Sequence, residues 1–401
     1  MIEGIIQDWF KEGSALFQLP GGKEIRVGAP AAPEVTLRIR DRATAFRIAR
    51  RPSLALGEAY MDGGVEVVQG DIYGFLDLVG RNRALRPTKP PGPFARVKRL
   101  FDQWNDRNAA RANVHHHYDL SLDLYRKFLD EDLQYSCAYF DHPGVSLEEA
   151  QAAKKRHLIA KLRIEEDMSV LDIGCGWGGL GLTMAEHGAR VTGVTLSDEQ
   201  LATAQERAKA RGFTERAEFR LQDYRDVTGP FDRIVSVGMF EHVGRPNYQT
   251  YFDSVARLLK DDGVAVIHSI GRKDGPNTTQ PWIAKYIFPG GYIPALSEVL
   301  PHIERAGLWI TDVEILRLHY AETLREWRKR FTAQRAEIAA LYDERFCRMW
   351  EFYLASSEIA FRHCGHMVFQ LQLTKRVDAV PITRDYIEAF ERGGMRRRQV
   401  A

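Results

Sequence analysis

The sequence has few cysteines and no long apolar run. Its cysteines are Cys137, Cys175, Cys347 and Cys364, and none of them forms the CxxC pair typical of zinc ribbons and redox sites. So few cysteines in a chain of 401 residues suit a reducing cytosol, where we expect the protein to be located. No stretch approaches the ~20 apolar residues of a spanning helix. The N-terminus does not resemble a signal peptide.

The chain also has little net charge. Its 56 basic and 54 acidic residues leave a formal charge of +2, which argues against a nucleic-acid partner. Some basic residues are clustered, namely Arg81, Arg83, Arg86, Lys89, Arg96, Lys98 and Arg99, with Arg396–Arg398 at the tail. These residues either belong to a solvated linker and tail or attract the protein to an anionic membrane surface. Each basic residue near such a surface contributes about 1 kcal/mol to binding.

The length and the breaker residues predict two domains. We expect a small mixed N-terminal domain over 1–85, serving membrane docking or dimer contacts, because "GGKEIRVG" and "EVTLRIRD" alternate like half-buried strands. The segment 86–96 is Pro-rich and basic and is predicted to be a linker. A catalytic domain is predicted over 97–401. Its region from Glu322 onward is expected to be mostly helical and to pack on the sheet.

Strand-like and helix-like runs alternate through the middle of the chain. "MSVLDIG", "ARVTGVTLS", "AEFRLQD", "FDRIVSVG" and "VAVIHSIG" are strand-like, and helical segments separate most of them. One helix is expected to begin after Ser197 and to stop at Gly212. The alternation predicts an α/β fold with a mostly parallel sheet and crossover helices.

A glycine turn follows the first of these strands. Gly174, Gly176 and Gly179 satisfy GxGxxG, a weak signal because dinucleotide-binding folds use the same turn. Asp172, two residues before the first glycine, would repel a pyrophosphate. Its carboxylate could instead accept hydrogen bonds from a cationic amino-acid group.

The ends of the next two strands help to distinguish a dinucleotide site from a site for another nucleotide cofactor. The second strand ends near Thr195 and Gln200, not in the acid that a dinucleotide ribose requires. The third ends at Asp223, which could accept the exocyclic amine of adenine. Together with the first acid, this pattern favours S-adenosylmethionine (SAM) over a dinucleotide; a dehydrogenase remains the alternative.

Several longer motifs carry a family resemblance. They are "HHYDLSLDLYRKFLDEDLQYSCAYF", "LDIGCGWGG", "GVTLSDEQ", "MFEHVG", "IHSIG" and "FPGGYIP". Together they resemble the cyclopropane-fatty-acyl-phospholipid synthase family, which includes the mycolic-acid cyclopropane synthases. The resemblance covers nearly the whole chain. It implies a class I, Rossmann-like methyltransferase fold with helices on both faces of the sheet, SAM as methyl donor and a cis double bond of a lipid acyl chain as substrate.

The resemblance also implies the site residues. The cofactor set is Tyr135, Ser136, Asp172, Gly174, Gly176, Gly178, Thr195, Leu196, Gln200, Asp223 and Tyr224. Family members hold a bicarbonate ion beside the transferable methyl, and the matching positions are Cys137, Glu241, His268, Tyr320 and the backbone of Ile270.

The expected chemistry explains such a set. An alkene has no acidic proton to remove, so the enzyme can only align it with the methyl donor and exclude water. Attack leaves a carbocation, and a small base must take a proton from the added methyl before the ring closes. Glu241 would orient bicarbonate for this, with His268 and Tyr320 as donors. Alternatively, His268 is a core histidine, Tyr320 packs, and Glu241 caps the following helix.

Other motifs carry weaker predictions. His115–His117 are consecutive and diverge in direction, so no metal site is expected there. His117–Asp119 are expected to form part of a lid over SAM. The segment "PWIAKYIFPGGYIP" is predicted to line the acyl channel, with ordinary packing as the alternative. Ser357 stands where many relatives carry a cysteine, which argues against an obligatory catalytic cysteine in that helix; Cys364 is expected to be a buried packing thiol.

The sequence therefore predicts a cyclopropane-fatty-acyl-phospholipid synthase. We expect a cytoplasmic enzyme that associates peripherally with the inner face of the membrane and takes unsaturated phospholipid as substrate. The sequence leaves open whether the protein is a homodimer. A fatty-acyl methyltransferase making a methyl- or methylene-branched chain is the alternative within enzymes, ahead of a small-molecule amine methyltransferase. From another class, a non-catalytic, membrane-binding scaffold with a SAM fold is the alternative.

Overall fold

The computed structural model describes residues 2–28, 32–86 and 120–398, with side chains up to 393. Most of the predicted linker, His115–His117 and the predicted lid lie outside these residues. The described chain folds into two compact units. The first contains 2–86, 279–289 and 321–366, and the second contains 120–278, 290–320 and 367–398. The first unit thus includes two late segments that the sequence-based division assigns to the catalytic domain.

The first unit is built on a four-stranded mixed sheet of order β2-β1-β3-β4. Its strands are β1 (Ser14–Gln18), β2 (Glu24–Gly28), β3 (Val35–Ile39) and β4 (Val65–Gln69). β1 pairs antiparallel with β2 and parallel with β3. In β2 the apolar residues Ile25 and Val27 are buried while their neighbours are exposed, which is the alternation of a half-buried strand.

Helices surround this sheet. They are α1 (Ile2–Trp9), α2 (Arg42–Arg50), α3 (Pro52–Met61), α4 (Ile72–Ala84), α10 (Pro281–Tyr286), most of α12 (His319–Ala333), α13 (Arg335–Leu341) and α14 (Glu344–His363). The prediction that the late helices pack on the parallel sheet is wrong for α14. This helix packs against α3 and α4, and a methyl group at Gly80 of α4 would overlap Ile359.

The second unit contains a seven-stranded sheet of order β10-β11-β9-β8-β5-β6-β7. Its strands are β5 (Ser169–Ile173), β6 (Arg190–Thr195), β7 (Ala217–Leu221), β8 (Phe231–Val237), β9 (Leu259–Arg272), β10 (Trp309–Ile315) and β11 (His366–Thr374). Strands β5 to β9 pair in parallel, as predicted. The antiparallel pair of β10 and β11 was not predicted.

Alternate residues of β5 enter two different apolar cores. Leu171 and Ile173 pack with α9 (Tyr248–Leu258) and α11 (Leu296–Arg305) on one side. Val170 packs with helices of the other side. These are α6 (Leu147–Leu162), α7 (Gly179–Glu186) and α8 (Asp198–Ala210); α5 (Leu122–Phe128) and α15 (Asp385–Arg398) complete the unit. Helices on both faces of a mostly parallel sheet confirm the predicted fold class.

Local signals explain the helix that follows β6. The Ser197 hydroxyl accepts a hydrogen bond from the Gln200 N–H at 3.3 Å, so α8 begins where an N-cap was predicted. Gly212, with φ +71°, lies just beyond its end. None of the helices in the described residues combines the length and apolar character that crossing a bilayer requires.

Candidate functional site

A cavity opens where the parallel strands end. Strand order reverses between β5, which continues to β6 and β7, and β8, which continues to β9; ligands bind outside the carboxyl ends of strands at such a switch point. Residues following β5, β6, β7 and β8 line the cavity together with the segment 133–136. The cavity contains most of the predicted cofactor set, namely Tyr135, Ser136, Asp172, Gly174, Gly176, Thr195, Leu196, Gln200, Asp223 and Tyr224.

The glycine loop gives the cavity its floor. Gly174 and Gly176 have φ of +80° and +53°, a region that favours glycine, and both line the cavity. Gly178 does not line it. A methyl group there would come within 2.9 Å of Ala204 and of Phe219, so this glycine permits close packing of α7 beneath the loop. Its predicted role in cofactor binding stays a prediction.

Asp172 is the most buried ionisable group that lines the cavity. It is 2% exposed, and its Oδ2 has no hydrogen-bond partner in the described part of the chain. Burial raises the pKa of Asp172 to about 7, and the ammonium of Lys154 opposes that rise. A buried carboxylate oxygen without a donor is costly, and a cationic ligand group would satisfy it.

The ends of β6 and β7 present polar groups that are already paired. The Thr195 hydroxyl donates to Oε1 of Gln200 at 2.9 Å. Asp223 accepts from Nε of Arg225 at 2.8 Å, and Arg225 lines the cavity too. The sequence-based argument missed this arginine. The Asp223 carboxylate is consequently shared with a protein cation.

Aromatic rings connect the 133–136 segment to the glycine loop, to which Trp177 belongs. Tyr135 lies edge-on to Tyr125, with ring centroids 5.3 Å apart, and Tyr125 packs on Trp177 at 4.8 Å. Tyr135 and Trp177 both line the cavity. Their rings are held by packing, which makes this wall rigid.

Glu241 follows β8, in the 3-10 turn Phe240–His242. Its Oε1 accepts a hydrogen bond of 2.6 Å from the Ile270 N–H, so the carboxylate and the predicted backbone position are in direct contact. Its Oε2 is buried and finds no partner among the residues described. Burial raises the pKa of Glu241 to about 7, against the Ile270 N–H, which lowers it. The helix-cap alternative lacks support, because this side chain turns to β9.

His268 lies on β9, two residues before Ile270. It is buried, and its pKa is lowered to about 3, chiefly by burial and also by Lys154, so the ring is neutral. Nε2 of Gln370 lies 3.2 Å from its Nδ1. With the amide in this orientation its N–H donates to Nδ1, which assigns the ring proton to Nε2. Gln370 is a site residue that sequence reasoning missed.

Cys137 and Tyr320 lie on segments that contact each other. Cys137 is fully buried, and Tyr320 is half-buried at the second position of α12. The Phe140 N–H donates to Nδ1 of His319 at 2.9 Å. The Tyr139 ring stacks on the His319 ring with centroids 4.9 Å apart. The start of α12 is thereby tied to the chain just after Cys137.

Cavity residues outside the predicted set complete its wall. They are Leu133, Gln134, Ile173, Cys175, Trp177, Leu180, Val194, Gln222, Arg225, Val237, Gly238, Met239, His242, Val243 and Asn247. Burial lowers the pKa of His242 to about 4, so this ring is also neutral. The sequence feature that could have identified His242 as a cavity residue is its position directly after Glu241.

The aromatic segment predicted to line an acyl channel is closely packed. In the first unit, Trp282 is fully buried and its Nε1 donates to the Met61 sulfur at 3.3 Å. In the second unit, the Tyr292 hydroxyl donates to Glu298 at 2.6 Å. Cys364 is half-buried at the end of α14, less buried than predicted.

Known proteins are similar to this chain over most of its length. The model of the mycolic acid cyclopropane synthetase family matches residues 105–371, and that of a domain of unknown function, DUF7884, matches 6–85. The cyclopropane-fatty-acyl-phospholipid synthase of Escherichia coli is 39% identical over 376 residues, covering 92% of this chain and 94% of that protein. The tuberculostearic acid methyltransferase UfaA1 of Mycobacterium tuberculosis is 39% identical over 367 residues, covering 86% and 84%.

Solved structures are similar to about two thirds of the chain. The cyclopropane synthase MmaA2 from Mycobacterium tuberculosis has a TM-score of 0.63 and 33% identity, covering 66% of this chain and 97% of that one. The mycolic acid cyclopropane synthase CmaA1 complexed with SAH and CTAB gives the same values. SAH is the product that SAM leaves after methyl transfer.

Proposed function

Because the chain belongs to the mycolic acid cyclopropane synthetase family and is a SAM-dependent methyltransferase, we propose that it converts a cis-unsaturated phospholipid acyl chain to a cyclopropane. The observation that carries the proposal is the buried carboxylate of Glu241, whose pKa lies near 7 and whose Oε2 has no partner within the described residues. A lone buried acceptor of this kind suits a small protonated anion beside the reacting carbons.

The cofactor cavity fits SAM by its chemistry. Asp172 offers an unpartnered buried oxygen to the α-ammonium, and Gly174 and Gly176 let backbone approach the ligand. Tyr135 and Trp177 line the cavity, and aromatic rings attract cations such as a sulfonium. These residues bind and orient the methyl donor; the alkene needs alignment and exclusion of water from the rest of the site.

The residues around Glu241 fit a bicarbonate ion. When bound, the ion supplies a small base for the proton of the added methyl. Oε2 of Glu241 accepts the hydrogen bond of its OH. His268 offers an Nε2–H donor because Gln370 occupies Nδ1. We assign Tyr320, Cys137 and the backbone of Ile270 to the same site, as the family resemblance implies.

We further propose that the enzyme works in the cytoplasm at the inner face of the membrane. The proposal is supported by the nature of a phospholipid substrate and by the basic residues around the predicted linker. Residues 1–85 would provide membrane docking or dimer contacts, and 97–401 the catalytic machinery. Vesicle flotation with and without anionic lipid tests the docking.

The activity is tested by incubating the purified full-length protein with SAM and liposomes of cis-monounsaturated phospholipid. Mass spectrometry and proton NMR of the acyl chains then identify the product. A gain of one CH2 with upfield cyclopropane signals supports the proposal. Removal of bicarbonate under a CO2-free atmosphere should slow turnover, and its return should restore it. No gain with SAM still bound would favour the scaffold alternative.

One observation favours a second product. A relative as similar as the synthase bears the name tuberculostearic acid methyltransferase, so the same cation could be quenched to a branched chain. Methyl-doublet or vinylidene signals in place of cyclopropane signals would establish that function instead.

A further inference from the structure

Lys154 lies on α6 behind the cofactor cavity and is fully buried. Its Nζ donates to Oε1 of Gln134 at 2.7 Å and to the Ser136 hydroxyl at 2.8 Å. Both acceptors belong to residues that line the cavity. A buried ammonium costs free energy unless it is compensated, and neutral oxygens compensate it less than a carboxylate does.

A second lysine on the same helix shows the usual solution. Lys161, two turns later, is also fully buried, but its Nζ lies 3.0 Å from Asp312 and 2.5 Å from Glu314. For Lys154, no carboxylate oxygen of the described chain lies within 4.0 Å. Its pKa is lowered to about 8 by burial, with Asp130 acting in the opposite direction.

The charge of Lys154 acts on Asp172. Burial raises the pKa of Asp172, and Lys154 is the group that opposes the rise. The other ionisable groups around the pair are Asp130, Asp132, Lys155 and Cys137, which face Lys154, Cys175, which faces Asp172, and His268, whose pKa Lys154 also lowers. Lys154 thus connects the acid on β5 to the 134–136 wall.

We propose that Lys154 is a positioning residue of the SAM site, which fixes Gln134 and Ser136 in the cavity wall and supplies a positive charge that favours the ionised form of Asp172. It does not touch the reacting atoms. This inference rests on the proposed role of Asp172 as acceptor of the α-ammonium of SAM. Without Lys154, two coupled losses follow: the acid becomes protonated at a higher pH, and the wall loses its two hydrogen bonds.

The test measures SAM affinity by isothermal titration on the full-length protein between pH 6 and 8.5. The variants are Lys154→Met, Asp172→Asn, the double variant and the matched control Lys161→Met, each checked for folding by circular dichroism and its melting temperature. Lys154→Met should weaken SAM binding about tenfold at pH 7 and move the midpoint of its pH dependence up by about one pH unit. Lys161→Met should lower the melting temperature and leave both quantities unchanged.

The double variant separates charge support from general damage. Because the charge of Lys154 acts through Asp172 and its two hydrogen bonds do not, its replacement in the Asp172→Asn background should weaken SAM binding by clearly less than about tenfold, the remaining loss being that of the bonds to Gln134 and Ser136. The inference about Lys154, but not the role of Asp172, would be overturned if the affinity losses of the two single variants multiplied in the double variant. The same holds if Lys154→Met did not move the pH midpoint. Unchanged affinity in Asp172→Asn would overturn the role of Asp172 together with the inference. The identity of the lipid product does not enter this test.

Discussion

Replacing Glu241 by Gln should stabilise the protein at alkaline pH. Glu241 is 7% exposed, and burial raises its pKa from 4.5 to about 7. Because the folded pKa is the higher one, the folded state binds the proton more tightly, and stability falls as pH rises from about 4.5 to about 7. This difference between the two pKa values corresponds to a loss of about 3 kcal/mol in the free energy of unfolding, and the loss is complete above pH 7. A neutral amide removes this penalty.

The same replacement should abolish most of the turnover. Gln cannot offer the anionic acceptor that the proposed bicarbonate site requires, and misplacing a base of this kind costs about 10²- to 10⁴-fold. Glu241 does not line the cofactor cavity, so SAM affinity should change by less than about twofold. Product formation on liposomes and isothermal titration with SAM measure the two quantities separately.

The assay of stability is the melting temperature at pH 5 and at pH 8. Glu241→Gln should gain about 3–6 °C over the wild type at pH 8 and little at pH 5. Glu298→Gln is the control: its carboxylate accepts from Tyr292 and from the Ala295 N–H, so this variant should melt lower at both pH values. A Glu241→Gln protein that keeps its turnover, or whose melting shift does not depend on pH, would refute the reasoning.

Two further predictions concern neighbouring groups. Gly178→Ala should lose about 2–4 kcal/mol of stability, because a methyl there collides with side chains of α8 and β7 at positive φ, but it should keep its SAM affinity. Gly176→Ala has open space around the added methyl, so only its positive φ costs stability, about 1 kcal/mol, while SAM affinity should fall. Chemical denaturation and SAM titration distinguish them. Gln370→Leu should lower kcat up to about tenfold, because the His268 ring would no longer be held in one tautomer. The control Gln372→Leu, two residues along the same strand, should lower stability alone. Equal kcat values in the two variants would contradict this prediction.

The parallel core of the second unit was predictable because its signals are local. The strands β5 to β9 have either apolar runs or alternating apolar and polar residues, and α8 has its own N-cap and terminating glycine. The carboxyl ends of parallel strands lie at the same edge of a sheet, which is why the acidic and amide side chains after three strands were expected in one cavity. The predicted family and the methyltransferase class are confirmed by the comparisons.

Other features depended on contacts distant in sequence. β11 follows a 20-residue helix and reads "HMVFQLQLT", where two glutamines interrupt the apolar pattern, and its partner β10 lies more than 50 residues earlier. Gly178 sits in the same motif as its cavity-lining neighbours, and only the packing of α7 against Ala204 and Phe219 separates their roles. A motif shows that glycine is required without showing which side of the loop requires it.

The polar interior shows the same division most clearly. Asp172 and Glu241 were identified because each stands at the end of a strand, but the groups that tune them were not. Lys154 lies 18 residues before Asp172 inside an alanine-rich helix, and Gln370 lies 102 residues after His268. Lys154 begins a run of four basic residues, whereas Gln370 interrupts an apolar strand, and neither pattern identifies the distant group that compensates the residue. Buried polar residues are therefore the places where a structure adds most to a sequence-based assignment of function.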